Sequence, residues 1–562
     1  MWLGALAGAA LTAFALFAGA YLPSIDWSNH LGLIAVLAHG GSSGALDYLE
    51  RSLAPSPYLL FYAMSALFAQ VMSVPAAAKL SLVLSAFALV PSAASLAEAT
   101  GRSPRLALIA PLTVFGISMG YGFGSFVFAT PLLFAMLATF ERALYAQTEA
   151  RPRRLLFFAL AAALTYLGHG FLFAVGVLLT AARGVARGAA LRRDGVRAML
   201  RPFVILALGL IPAIVVALPP TLAQVSRPEI EQGAAPARIF SFEPLAQHLA
   251  QLGGHLLERG SARHWSVMYA AVVLLFAWLA WSLFASTPRV TPELPRDPHD
   301  PGPHHPDPHH PDPHHPGPHH PGPHHPGAHD PSESRAIELY ASLLVLAFLF
   351  GPSSIEWPSS IWYVYPRFGV IAGLAVFLLP RADLRGPLGL PLALAALLVV
   401  GVNAWLNAGH VERFSAWAQA YDPVRAAVPP RSRVLALTVV PPGDLTNVHP
   451  ALGSLYFYHL ADGAAYSAFL FDKPSLPVHS RAGVRLPRAP FWRSPASFDP
   501  TTHGRDFDYL VLRGPELVRR TTAAGLHERV GDFNGWIVFR TREPTPRPSG
   551  AAATSTTSAE AN

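Results

Sequence analysis

The segment Tyr58-Leu-Leu-Phe-Tyr-Ala-Met-Ser-Ala-Leu-Phe-Ala-Gln-Val-Met72 decides how this chain sits in a membrane. It is apolar for about 15 residues, whereas a helix that crosses the hydrocarbon core needs about 20. If the segment lies in the interface, the apolar helix before it, Met1 to Ala20, runs from inside to outside and leaves Asp26 on the outer face. If it spans, the amino terminus is outside and Asp26 is cytoplasmic. The stretch that carries this acid, Tyr21-Leu-Pro-Ser-Ile-Asp-Trp-Ser-Asn-His30, has no Lys or Arg. The positive-inside rule therefore does not choose between the two topologies.

The rest of the chain is that of a polytopic membrane protein. Of its 562 residues 52% are hydrophobic and 13% charged, half of the ~25% charged share of an ordinary soluble chain. The net charge of +7 is carried by Arg, with Lys only at positions 79 and 473. These cations cluster in short loops between apolar runs, which fits membrane topology and not a nucleic-acid partner. The absence of Cys excludes a disulfide framework and a Cys-based zinc site. Ala18-Gly19-Ala20 resembles a signal-peptide cleavage site, but the basic n-region is missing, so a retained first helix is expected.

Arg clusters at Arg102/Arg105, Arg142 to Arg154, Arg183 to Arg201, Arg289/Arg296 and Arg381/Arg385 belong on the cytoplasmic side. The number of crossings between successive clusters must then be even. Leu106 to Thr139 becomes a hairpin with Gly120-Tyr-Gly-Phe-Gly-Ser-Phe126 at its tip, and Leu155 to Ala182 two short helices turning at Gly168-His169-Gly170. Phe203 to Leu218, Val267 to Phe284, Ile337 to Phe350, Phe368 to Leu379 and Leu388 to Trp405 complete the series. Together with the first helix and Lys79 to Ala97, the expectation is about 11 spans. These make up residues 1–406, with outer loops at 22–74 and 219–265 and a cytoplasmic loop at 286–335. Residues 407–542 form a small α/β domain on the far side from the Arg clusters. Arg433 to Val440, Tyr509 to Leu512 and Trp536 to Arg540 read as its strands, with a hairpin turn at Asn534-Gly535. Residues 543–562 are a Pro/Ser/Thr/Ala tail with no core.

A His/Pro repeat fills 299–329 and holds half of the chain's 24 His residues. Its alternating prolines favour extended polyproline II, which sets successive His pairs about 15 Å apart. The pairs His304/His305, His309/His310 and His314/His315 offer weak, multi-site binding to Zn, Ni or Cu. The plainer reading is a low-complexity linker on which metal binding is incidental.

The candidate site residues lie outside the spans. Asp26 is costly to hold at a membrane surface unless it is used; the alternative is a helix cap over Leu31 to Ala38. His30, four residues on, shares a helical face with it and is a candidate proton carrier. Asp47 and Glu50 could supply a second carboxylate, or lie on a solvated face. The glycines of the 120–126 tip, with Tyr121 among them, permit close approach to a ligand or tight packing. His169 either caps its turn or lines a pocket. Arg367, a lone cation among aromatics, suits a lipid phosphate or a cation–π anchor.

With Asp26 after the first helix, two interfacial segments and then a run of helices ending in an outer domain, the chain resembles the C-type (GT-C) membrane glycosyltransferases. That group includes protein O-mannosyltransferases, aminoarabinose transferases and oligosaccharyltransferase catalytic subunits. The resemblance covers roughly Met1 to Leu406. It implies an interfacial Tyr58 to Met72, an outward Asp26 as catalytic carboxylate, and a polyprenyl-phosphate sugar donor in the cytoplasmic (inner) membrane. Tyr121, His169 and Arg367 would contact substrate or lipid phosphate. Many members carry a second acid in the loop corresponding to Gly120 to Phe126; its absence here puts a divalent metal in doubt. A transporter or flippase, or a non-catalytic scaffold, are the other classes compatible with the residues.

Overall fold

The computed structural model describes residues 2–226, 240–248, 262–285, 335–355, 361–362, 364–381, 384, 389–439, 455–471, 476–490 and 494–546. The His/Pro repeat, including His304, His305, His309, His310, His314 and His315, lies outside the described residues, as does the tail from 547.

Helices dominate. In chain order they are α1 (Trp2–Leu16), α2 (Trp27–Ser43), α3 (Leu59–Phe68) and α4 (Val74–Ala99). A 3-10 segment, Pro104–Phe115, and the one-turn α5 (Ile117–Gly120) lead into α6 (Gly124–Leu144). Then follow α7 (Arg151–Gly168), α8 (Gly170–Ala190), α9 (Val196–Ser226), α10 (Ala262–Ala285), α11 (Ala336–Phe350), α12 (Val364–Phe377) and α13 (Gly389–Ala418). Each apolar segment expected to span falls on one of these elements. Among the described residues, five helices are long and apolar enough to cross a bilayer: Val74–Ala99, Gly124–Leu144, Gly170–Ala190, Val196–Pro220 and Gly389–Ala426. Helix α3 has 10 residues, about 15 Å at 1.5 Å per residue, half the ~30 Å hydrocarbon thickness.

Small residues let the helices approach, as they must where lipid offers no hydrophobic drive. Gly4 and Gly8 of α1 face the 3-10 segment, and a Cβ on Gly8 would stand 2.6 Å from the Pro111 ring. The Arg clusters within the described residues gather at one end of the bundle. There Arg102 pairs with Glu338 and donates to the Leu379 carbonyl at 3.0 Å. Arg142 meets Glu98 at 3.4 Å. Arg183 meets the fully buried Glu141 at 3.0 Å, which also accepts from Tyr340 at 2.5 Å.

Helix α13 runs without a break through the 406/407 boundary expected from the sequence and delivers the chain into the C-terminal domain. That domain is a five-stranded sheet in the order β6-β5-β8-β10-β9, with β5 (Arg433–Thr438), β6 (Tyr466–Ser467), β8 (Tyr509–Arg513), β9 (His527–Phe533) and β10 (Trp536–Thr541). Strand β5 is parallel to β6 and β8, while β10 is antiparallel to both β8 and β9. Asn534 and Gly535 both have positive φ, 55° and 82°, the type I′ turn that suits the twist of a two-residue hairpin. The domain docks on the first loop. Strand β1 (Leu49–Arg51) pairs antiparallel with β7 (Val478–Ser480), while β2 (Phe240–Ser241), β3 (Ser354–Ile355) and β4 (Ile361–Trp362) form a separate antiparallel sheet. Asn29 of α2 donates to the Phe469 carbonyl at 3.2 Å and accepts from the Phe471 amide at 3.0 Å.

Candidate active site

Asp26 stands at the cap position of α2, but its side chain makes no capping hydrogen bond. The carboxylate is therefore not spent on the helix. Its backbone is held by the tip of the 104–144 hairpin: the Ile25 and Asp26 amides donate to the Gly120 and Tyr121 carbonyls, both at 3.1 Å. Gly122 is what allows this contact. Its φ is +89°, and a Cβ there would lie 2.6 Å from the Asp26 nitrogen. Only glycine fits both the conformation and the space.

Asp26 is partly buried. Burial pushes the Asp26 carboxyl up to about 7, against the opposing pull of the Arg367 guanidinium. Arg367, in the first turn of α12, stacks 4.0 Å over the Phe123 ring and 5.8 Å over Phe171. Tyr121 in turn stacks on Phe123 at 5.6 Å. His30 is buried; its Nδ1 is 2.6 Å from the Tyr62 hydroxyl, and its ring packs on Phe61 and on Phe471 of the C-terminal domain. Burial drives its pKa down to about 4, so the ring is neutral and serves as a packed, hydrogen-bonded strut. His169 turns α7 into α8, edge-on to Tyr58 at 4.9 Å and Phe126 at 5.5 Å. Its pKa is held well below the usual histidine range by burial first, then by Arg367. Its Nδ1 is buried and has no hydrogen-bond partner among the described residues.

Asp26, His30, Tyr121, His169 and Arg367 thus meet at the end of the bundle opposite the Arg clusters. Asp47 and Glu50 do not join them. Glu50 bonds His479 of β7 at 2.5 Å, and Asp47 ends a short 3-10 turn, Ala45–Asp47. Tyr58, Tyr62, Phe123 and Phe171 belong to the site and were not singled out from the sequence. The signal was there for the tyrosines, which are four residues apart at the start of a short apolar helix. Residues 240–248 also reach the site: Tyr365, two residues before Arg367, donates to Glu243 at 2.7 Å and stacks on His248 at 3.8 Å. Among the described residues no three His, Cys, Asp or Glu side chains come together as a metal-holding group. The neighbour of Asp26 is a guanidinium, and this donor set does not fit a divalent ion.

A first loop that carries the short α3, a multi-pass helical bundle and a docked C-terminal sheet define a polytopic membrane fold. Two solved structures share it. ArnT from Cupriavidus metallidurans in the apo state superposes with a TM-score of 0.52 at 14% identity, covering 95% of this chain and 96% of that one. ArnT from the same organism bound to undecaprenyl phosphate gives 0.52 at 13%, covering 96% and 97%. At such identity the likeness is one of fold. Neither a protein-family model nor a curated protein sequence matches the chain.

Proposed function

We propose that this protein is a membrane glycosyltransferase that moves a sugar from a polyprenyl-phosphate donor to an extracytoplasmic acceptor. The observation that carries this reading is the uncapped, partly buried carboxylate of Asp26 within the electrostatic reach of Arg367 at the end of the bundle away from the Arg clusters. A carboxyl near pH 7 is matched to general-base work at neutrality. Asp26 takes the proton of the acceptor hydroxyl as that oxygen bonds to the anomeric carbon. The bond from that carbon to the phosphate oxygen breaks, and the polyprenyl phosphate leaves with the electron pair. Arg367, with its guanidinium fixed over Phe123, holds the phosphate and stabilises the charge that grows on it. His169, with its free Nδ1, lines the same subsite, and Tyr121 closes it. One structural neighbour holds undecaprenyl phosphate, which supports a lipid phosphate as the ligand here. The short α3 supports an interfacial first loop and an outward Asp26, with the C-terminal domain on the same side and the bundle in the inner membrane.

Two measurements test the reading. Asp26→Asn in purified, folded protein is expected to abolish transfer from polyprenyl-phosphate-linked sugars; a fully active variant overturns the mechanism. Gly41 is exposed with open space around its Cα, and the chain contains no other thiol. Gly41→Cys in intact cells is therefore expected to react with a membrane-impermeant maleimide. Protection until the membrane is broken would put Asp26 in the cytoplasm and remove the case for this enzyme.

A further inference from the structure

At the opposite end of the bundle, three arginines converge on the carboxyl terminus of α6. Arg201 of α9 donates through Nη2 to the Leu144 and Ala146 carbonyls, at 3.4 and 3.2 Å. Arg151 of α7 donates through Nη2 to the same Ala146 carbonyl, at 3.3 Å. Arg187 of α8 lies 4.9 Å over the Tyr145 ring. Arg151 and Arg187 are both close enough to repel the Arg201 guanidinium.

Among the described residues no carboxylate pairs with Arg151 or Arg201. Glu141 acts on Arg187, but it is already engaged by Arg183 through both oxygens, at 3.0 and 3.3 Å, and by Tyr340. A helix carboxyl terminus supplies roughly half an elementary negative charge, against the two guanidinium charges of Arg151 and Arg201 that its carbonyls receive. A second, independent sign is the state of the nitrogens. The Nε atoms of Arg151 and Arg201 are both buried and donate to nothing among the described residues. Buried donors of this kind are seldom left without an acceptor. Two cations sharing one neutral carbonyl, each with an idle buried donor, are arranged for an anion that supplies several acceptor oxygens.

We propose that Arg151, Arg187 and Arg201 form a binding site for a phosphate-bearing anion, of the kind presented by a phospholipid headgroup at the membrane surface. The site is assembled by the starts of α7 and α9 and the end of α8, where basic pockets between helices meet the headgroup layer. It is separate from the Asp26 site and independent of the reaction proposed there. Its occupant would bridge three helices whose mutual repulsion otherwise loosens that end of the bundle.

The test uses the purified full chain in neutral detergent. Phosphatidylglycerol is added against phosphatidylcholine, and inorganic phosphate against chloride at equal ionic strength. Thermal unfolding and the lipid retained in native mass spectra are followed. Phosphatidylglycerol is expected to raise the unfolding midpoint and to remain bound. The Arg151→Gln/Arg201→Gln double variant should bind it on the order of tenfold more weakly. The exposed pair Arg192→Gln/Arg193→Gln should behave as the wild type. Arg151→Lys/Arg201→Lys, which keeps the charge and safeguards folding, should recover part of the binding. Stabilisation by inorganic phosphate alone would support the site with a soluble anion as its occupant. Equal retention of both lipids with no phosphate effect, or equal loss in both Gln pairs, would overturn it.

Discussion

Gly122 lies backbone to backbone against Asp26, with the space for a single methyl group already filled by the Asp26 nitrogen and Cα. This contact places the Asp26 carboxylate, and it makes a glycine with no side chain as important to the site as the acid itself.

Gly122→Ala therefore meets two costs. A left-handed φ costs an alanine about 1–2 kcal/mol, and the clash with the Asp26 backbone adds to it. Gly101 has φ +71° and nothing within 4 Å of a Cβ, so Gly101→Ala incurs only the first. Thermal unfolding should fall further for Gly122→Ala, and only that variant should lose sugar transfer.

The pH dependence follows from the raised pKa of Asp26. Transfer by the ionised carboxylate should rise about tenfold per pH unit up to about 7 and level off above it. Stability runs the other way. The folded protein holds this proton up to about pH 7, while the unfolded chain releases it near 3.8. The contribution is therefore complete below about pH 4 and lost as pH rises towards 7. His30, with its pKa lowered to about 4, adds the opposite slope between about 4 and 6.5. The difference between wild type and Asp26→Asn in chemical unfolding at pH 5 and pH 8 isolates the Asp26 part. An equal difference at the two values would contradict the burial of its carboxyl.

Arg367→Lys keeps the charge but loses the planar stack on Phe123. We expect weaker binding of undecaprenyl phosphate by roughly tenfold, in keeping with ~0.5–2 kcal/mol for a cation–π contact. Arg367→Ala should be weaker still. Binding measured by thermal shift separates the two, and equal affinity for wild type and Lys would remove the stacking argument.

The docking of the C-terminal domain is open to a direct test because the chain lacks Cys. Leu49 and Ser480 are Cα partners across β1 and β7. Leu49→Cys/Ser480→Cys should form a disulfide, detected by mass spectrometry of non-reduced peptides. Asn29→Ala, which removes both bonds to the 469–471 segment, should cost about 1–3 kcal/mol and lower the yield of that cross-link.

Much of this was legible in the sequence where the signal is local. The turn at His169, the hairpin tip at Gly120–Phe126 and the Asn534-Gly535 turn come from glycine and charge spacing alone. Asp26, His30, Tyr121, His169 and Arg367 stand out because polar groups at a membrane edge are expensive. What brings them together is not local. Tyr58, Phe123 and Phe171 look like ordinary interfacial aromatics until packing wraps them around Arg367. The pairing of β1 with β7 was hidden because three residues are too few for an alternating pattern. Glu50 looked like a spare catalytic acid for the same reason: its partner His479 lies in another domain. The domain boundary at 406/407 lies where hydropathy falls, but α13 continues past it, and Ser415 in its last turns accepts from the Ala20 and Tyr21 amides.

The Asn29 clasp has a consequence for how the protein is made. Asn29 and its partner Phe469 are 440 residues apart, so the first loop leaves the ribosome long before the segment that completes it. Loop closure over such a span costs only slightly more than over a short one, so the contact is affordable at equilibrium, but it comes last in time. Throughout synthesis the wall of the Asp26 site that Phe471 supplies is missing. A chain interrupted before Phe469 would carry every helix from α1 to α13 and the acid itself, yet be born with its site open.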